Sequence, residues 1–240
     1  MPDDGDGERP DRHHPKVRDT LVVLLTITTG AVDATSFLAL GKVFSSVVTG
    51  DLALLGIAVG VGGSALAARA GVALVGYSAG VMAGAPITAR STRGPGAWPL
   101  AVTHTLMAET ALLVVFTVVW ETVGGHPVGG LQVVLVLMLA GAMGMQSVAV
   151  RRLGQMSSTY LTSTLTGVLA GLATGGRPEG FSRSLGALAA IIAGAAIGAA
   201  LVENAAVLVP IAILVPITAV IVVSGTGFGV GGLHPIVRRR

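Results

Sequence analysis

Cysteine is absent from the 240 residues, aromatic side chains make up 4% and charged ones only 11%. The first absence excludes disulfides, thiolate metal sites and cysteine nucleophiles. The scarcity of rings means that helices must meet through small side chains, and 35 glycines are there to supply them. The scarcity of charge excludes a soluble globular domain, because ordinary soluble chains carry about 25% charged residues. Catalytic signatures are missing too: the chain has no H-E-x-x-H, no G-x-S-x-G and no Walker A lysine motif. His104 alone of the five histidines falls inside an apolar run, so no second imidazole is placed to share a metal. The sequence therefore predicts no enzyme, no metal and no cofactor. The pI near 10.0 reflects loop arginines beside a bilayer surface. No basic patch is contiguous with aromatics, so no nucleic-acid partner is expected.

What is present is hydrocarbon. Hydrophobic residues reach 52% and mean hydropathy is +0.81. Six apolar runs occupy residues 19–40, 68–89, 98–123, 130–150, 184–202 and 205–224. At 1.5 Å per residue, each is long enough to cross ~30 Å of bilayer core. Two further runs, 47–63 and 159–174, are shorter and interrupted. Residues 1–18 are polar and broken by proline, which predicts a disordered tail. Residues 225–240 form a Gly-rich basic tail.

Charge arbitrates the topology, since cytoplasmic loops collect Lys and Arg. If the two short runs dip in and return, thirteen of the fifteen Lys and Arg fall on one side, leaving only Lys42 and Arg69 opposite. If both cross fully, the division becomes ten against five. The expected fold is therefore all-α: a polytopic transmembrane helix bundle of six full spans plus two short broken, re-entrant segments. Both termini are expected in the cytoplasm of a bacterial cell (inner) membrane, with 124–129 as an external loop.

The chain also repeats itself. Gly30, Ala31 and Ser36 match Gly141, Ala142 and Ser147; Gly41, Ser45, Thr49 and Leu52 match Gly154, Ser158, Thr162 and Leu165. Gly80 and Gly84 match Gly194 and Gly198. Three full crossings per half, 19–123 and 130–224, would make this an inverted 3+3 repeat, an arrangement typical of secondary transporters. The ladders Gly76-Gly80-Gly84 and Gly186-Ala190-Gly194-Gly198 read as helix-packing faces, and exposed ladders would suit a homodimer.

The run GAVDATSFLALGKVFSSVVTGDLALLGIAVG at 30–60 and the run GAMGMQSVAVRRLGQMSSTYLTSTLTGVLAGLA at 141–173 resemble the two signatures of the YoaK-type bacterial membrane proteins. That family has a domain of unknown function. The resemblance covers about residues 21–224. Asp51 stands where the family commonly has Asn, and Ser163 where it commonly has Gly. The resemblance implies an integral membrane protein and brings no substrate or catalytic residue with it.

Candidate sites must come from polar residues at depth. Glu109 is eleven residues from both Trp98 and Trp120, read as aromatic anchors at opposite interfaces, so it is placed at the bilayer centre. A charge there costs at least ~2.5–3.5 kcal/mol. His104 shares the third span, about 140° from Glu109 around the helix. Asp33 lies just outward of the first span's centre, and its repeat counterpart is Gly144, close to Gln146. Thr49, Gly50 and Asp51 read as a helix start, expected near mid-membrane if the preceding residues run inward extended. Thr162, Ser163 and Thr164 would form a matching start from the other side. Together these residues suggest a site for a small solute, with Asp33 and Glu109 as proton or cation carriers. A non-transport scaffold, its polar residues holding helices together, is the competing expectation. Pro210 and Pro216 should kink the last span.

Overall fold

The structure is a computed structural model describing residues 13–89, 99–153, 161–176 and 180–227. Helices account for nearly all of these. In chain order they are α1 (His13–Ala39), α2 (Val48–Gly60), α3 (Ser64–Ala89), α4 (Leu100–Thr122), α5 (Gly130–Arg152), α6 (Leu161–Ala173), α7 (Phe181–Asn204) and α8 (Val209–Gly227). A 3₁₀ turn, Ala206–Leu208, precedes α8. Among the described residues, six helices are long and apolar enough to span a bilayer; α2 and α6, with 13 residues each, are not.

The boundaries follow local chemistry. Pro99 stands just before α4. Gly129 at φ +59° and Gly180 at φ +74° let the chain turn into α5 and α7, a backbone region that glycine enters without penalty. Helix α1 begins at His13, so residues 13–18 are not part of the disordered tail expected from composition. Pro15 falls in the first turn, where its missing N–H costs nothing, and the helix simply continues out of the span. Pro210 likewise sits in the first turn of α8, leaving Pro216 inside that helix.

Contacts between helices fix their directions. Gly76 lies against Leu137, Gly80 against Gly141 and Gly84 against Met145, so α3 and α5 run parallel. Gly194 lies against Ile27 and Gly198 against Ala31, so α1 and α7 run parallel. Thr29 meets Gln146 while Ala39 meets Gln132, which makes α1 and α5 antiparallel. Helix α4 opposes α5, with Leu112 near Gly141 and Thr105 close to Gly84 beside Met145. It also opposes α8, with Thr103 opposite Ser224 and Trp120 opposite Ala206.

Only one order of directions satisfies all of these pairs: the six long helices alternate up and down along the chain. Helices α1 and α3 are thus antiparallel neighbours in sequence, so α2 leaves and returns on the same face. The same holds for α6 between α5 and α7. The first three long helices each run opposite to the corresponding helix of the second set. The start of α1 and the end of α8 share one face of the bundle.

The glycine ladders are consumed inside this chain. A Cβ on Gly80 would overlap the Gly141 carbonyl oxygen, and one on Gly194 would overlap that of Ile27. A Cβ on Gly76 would come 2.7 Å from the Leu137 oxygen, and one on Gly198 would come 2.8 Å from that of Ala31. Close backbone approach of this kind is what small residues supply in lipid, where apolar burial gives helices little reason to associate. Gly186 takes no part; a Cβ there would meet only a Val23 methyl, at an ordinary 3.8 Å. Because the ladders face within the chain, they are not available as an exposed dimer surface, and the expectation of a homodimer loses its ground. The interlock is also exchanged: the ladder of each half grips the first helix of the other.

Candidate functional site at the bundle centre

Helix α1 carries the densest polar stripe, with Thr26, Thr28, Thr29, Asp33, Thr35 and Ser36 all buried. Most of its hydroxyls are already spent. Thr26 donates to the Val22 carbonyl and Thr35 to that of Ala31, each four residues back along the helix. Thr28 reaches the Ile213 carbonyl on α8 at 3.4 Å. The Thr29 hydroxyl stands 3.0 Å from the Leu25 carbonyl and 2.8 Å from Gln146 Oε1. Its single proton serves one of them at a time.

Asp33 collects three donors. Its Oδ1 accepts from the backbone N–H of Ser45 at 2.9 Å and of Ser46 at 2.8 Å, and its Oδ2 accepts from the Ser46 hydroxyl at 2.5 Å. Ser45 in turn pairs with Ser36 through their hydroxyls. Asp51 accepts from the Phe44 N–H at 2.9 Å. Two carboxylates thus hold the residue 43–46 turn that leads into α2, and they satisfy N–H groups that hydrocarbon could not. Asp33 is six residues from the end of α1, so this turn lies about 9 Å below that end. The start of α2 is therefore shallower than the mid-membrane start expected from an extended run. Val48 opens the helix, and Thr49, Gly50 and Asp51 lie inside its first turn instead of preceding it. Thr49 is exposed.

Glu109 is different. It is completely buried, and among the described residues neither carboxyl oxygen has a hydrogen-bond partner. It is nine residues from the start of α4 and thirteen from its end, hence near the middle of the span. The neighbouring hydroxyls are turned away: Thr105 donates to Ala101 and Thr110 to Leu106, both within α4. Gln146 Nε2 is a further buried polar atom at depth without a partner among the described residues.

The remaining candidates separate from this centre. His104 is exposed on the outside of α4, away from Glu109. Thr164 is buried while Thr162 is exposed, so the two do not share a face. Trp120 is not an interfacial anchor. It is fully buried, stacks on Phe116 and donates its indole N–H to the Ala206 carbonyl at 2.8 Å. Trp98 lies outside the described residues, as do the matched Gly154 and Ser158. Glu121 and Glu203 are exposed at helix ends.

Sequence reasoning passed over a second polar group, at the face where α1 ends. Arg69 donates to Gln132 Oε1 at 3.0 Å, and Gln132 Nε2 donates to the Ala39 carbonyl at 2.9 Å. The Arg69 side chain lies over Gly41, whose φ of +110° and missing Cβ make room for it. The available signal was a lone glutamine near the start of an otherwise apolar run.

An all-helical bundle of alternating spans, with two short helices that do not cross and a polar core at depth, defines a multi-pass membrane protein. The family model described as "Protein of unknown function (DUF1275)" matches residues 21–224, and the chain belongs to that family. A curated relative is the UPF0700 transmembrane protein YoaK of Bacillus subtilis (strain 168), 34% identical over 154 residues. That alignment covers 63% of this chain and 66% of the relative, so it spans just under two thirds of the relative's length. No solved structure matches.

Proposed function

We propose that this protein is a secondary transporter of a small solute, coupled to a cation that visits Glu109, and that it is not an enzyme. The observation that carries the reading is the Glu109 carboxyl, buried near mid-span with no partner for either oxygen among the described residues. A carboxyl kept only to join helices would be expected to have found a donor, as Asp33 did; isolated ionisable residues at depth more often mark ion pathways. Opposed directions in the two sets of helices, and the weak internal repeat, support an inverted-repeat transporter working by alternating access. Gln146, with its spare amide N–H groups beside Thr29 at the centre of α1, is the residue best placed to meet a solute. The face bearing Arg151, Arg152 and Arg183 is taken as cytoplasmic by the positive-inside rule, which puts both termini in the cytoplasm of the bacterial cell membrane.

The test is flux. Purified protein in liposomes is offered panels of small solutes under an imposed ion gradient, alongside Glu109→Gln and Gln146→Ala. Uptake that collapses in Glu109→Gln, while its folded yield stays at wild-type level, supports the reading. Asp33 favours the competing scaffold role at its own position, since its three donors make it a fastening. If no solute moves, and Glu109→Gln alters only stability or assembly, the scaffold reading holds for the whole protein.

A further inference from the structure

We infer that Glu109 carries a proton and not a metal cation, and that it rests in the undissociated acid form; this builds on the transporter reading above. A hard cation requires several oxygen ligands arranged around it. Around Glu109 those ligands are missing. Among the described residues no hydroxyl or amide bonds to it, and the nearest hydroxyls on its own helix, Thr105 and Thr110, are committed to backbone carbonyls. Of the buried residues within one turn of it along α4, Thr105 is the hydroxyl already committed to Ala101, and Leu106 and Leu113 are members of the apolar core with Leu139 and Ile217. A proton needs no such shell, because it neutralises the carboxyl covalently.

Among the described residues, no charged group bonds to it. Among the helices packed against α4, α3 brings Arg69 and Tyr77, α5 brings Arg151 and Arg152, and α8 brings no titratable group. On α4 itself stand His104 and Glu121. None of these makes an ion pair or hydrogen bond to Glu109. Arg69 is held by Gln132 at one face, and Arg151 and Arg152 end α5 at the other. An ionised Glu109 would be an uncompensated buried charge, and an undissociated one is an ordinary polar side chain.

Infrared spectroscopy of the purified full chain in lipid reads this without knowing the solute. The carbonyl stretch of an undissociated acid is well separated from the carboxylate bands. The expected result is such a band at neutral pH, absent from Glu109→Gln and present in Asp33→Asn. It should fade reversibly as pH rises and stay unchanged when sodium, potassium or calcium is added at constant pH. Absence of the band, its displacement by a metal cation, or its persistence at every pH would each overturn the inference, the last by showing a sealed structural acid. A band that titrates as expected in a protein that moves no solute leaves the proton site standing and removes the transporter reading.

Discussion

Arg69 and Arg183 hold corresponding places at opposite faces of the bundle. Each stands near the start of a glycine-ladder helix and is tied to the first helix of the other half, Arg69 to Gln132 on α5 and Arg183 to Asp19 on α1. They are 114 residues apart, as are Gly80 and Gly194. The bundle is therefore fastened at both faces by the same two helix pairs that interlock through glycine. The Asp19 pair is half-exposed and 3.6 Å long, so it orients helices more than it stabilises them.

These two fastenings make an asymmetric prediction. Arg69→Ala should open the face where α1 ends, raising the reactivity of a single cysteine at Gln146 towards an impermeant reagent added outside intact cells. Arg183→Ala should leave that reactivity unchanged. Equal effects from both variants would show that the two faces do not open separately.

Topology can be settled by labelling, since the chain has no cysteine of its own. Val61, in the turn after α2, and Val128, before α5, are both 77% exposed and lie on the same face. Single cysteines at both should react from outside, and one at Ser182 should react only once cells are opened. A protected Val61 beside a reactive Val128 would mean that α2 crosses.

Glycine substitutions should divide sharply. Gly80→Ala and Gly194→Ala drive a methyl into a backbone carbonyl and should cost about 1–3 kcal/mol, as overpacking does. Gly56→Ala and Gly167→Ala have nothing within 4 Å and should be neutral or slightly stabilising, since alanine is the better helix former by about 1 kcal/mol. Thermal unfolding in detergent, followed by helical signal, compares the four.

Asp33 should tolerate an amide. In Asp33→Asn the remaining oxygen keeps the two backbone donors, and the new NH₂ can donate to the Ser46 hydroxyl. Asp33→Ala strands all three donors, at about 1–3 kcal/mol for each buried group left unsatisfied. The expected outcome is near-normal stability and flux for Asn and a marked loss of folded protein for Ala. Loss of flux with normal folding in Asn would return Asp33 to the list of ion carriers.

Trp120→Phe should cost about 1 kcal/mol through the lost bond to Ala206. Trp120→Ala should cost about 3–5 kcal/mol, because a large cavity is added. Both are read by the same thermal unfolding.

Much of this architecture was legible in the residues alone, for a definite reason. A bilayer accepts backbone only as closed hydrogen-bonded elements, so apolar run length and the Arg distribution largely dictate six spans and two short helices. Gly80 and Gly194 announced close packing, because glycine spacing has few other uses in lipid. The sequence could not say which helix each ladder grips, and that exchange between halves is a tertiary fact. Nor could it separate Asp33 from Glu109, two acids that each fall inside an apolar run. Folding brings Ser45 and Ser46 back onto Asp33 and, among the described residues, brings no donor to Glu109. An acid's role at depth is set by the donors around it: those of Asp33 come from the turn 12 and 13 residues further on, whereas the surroundings of Glu109 are decided only by how α3, α5 and α8 pack on α4.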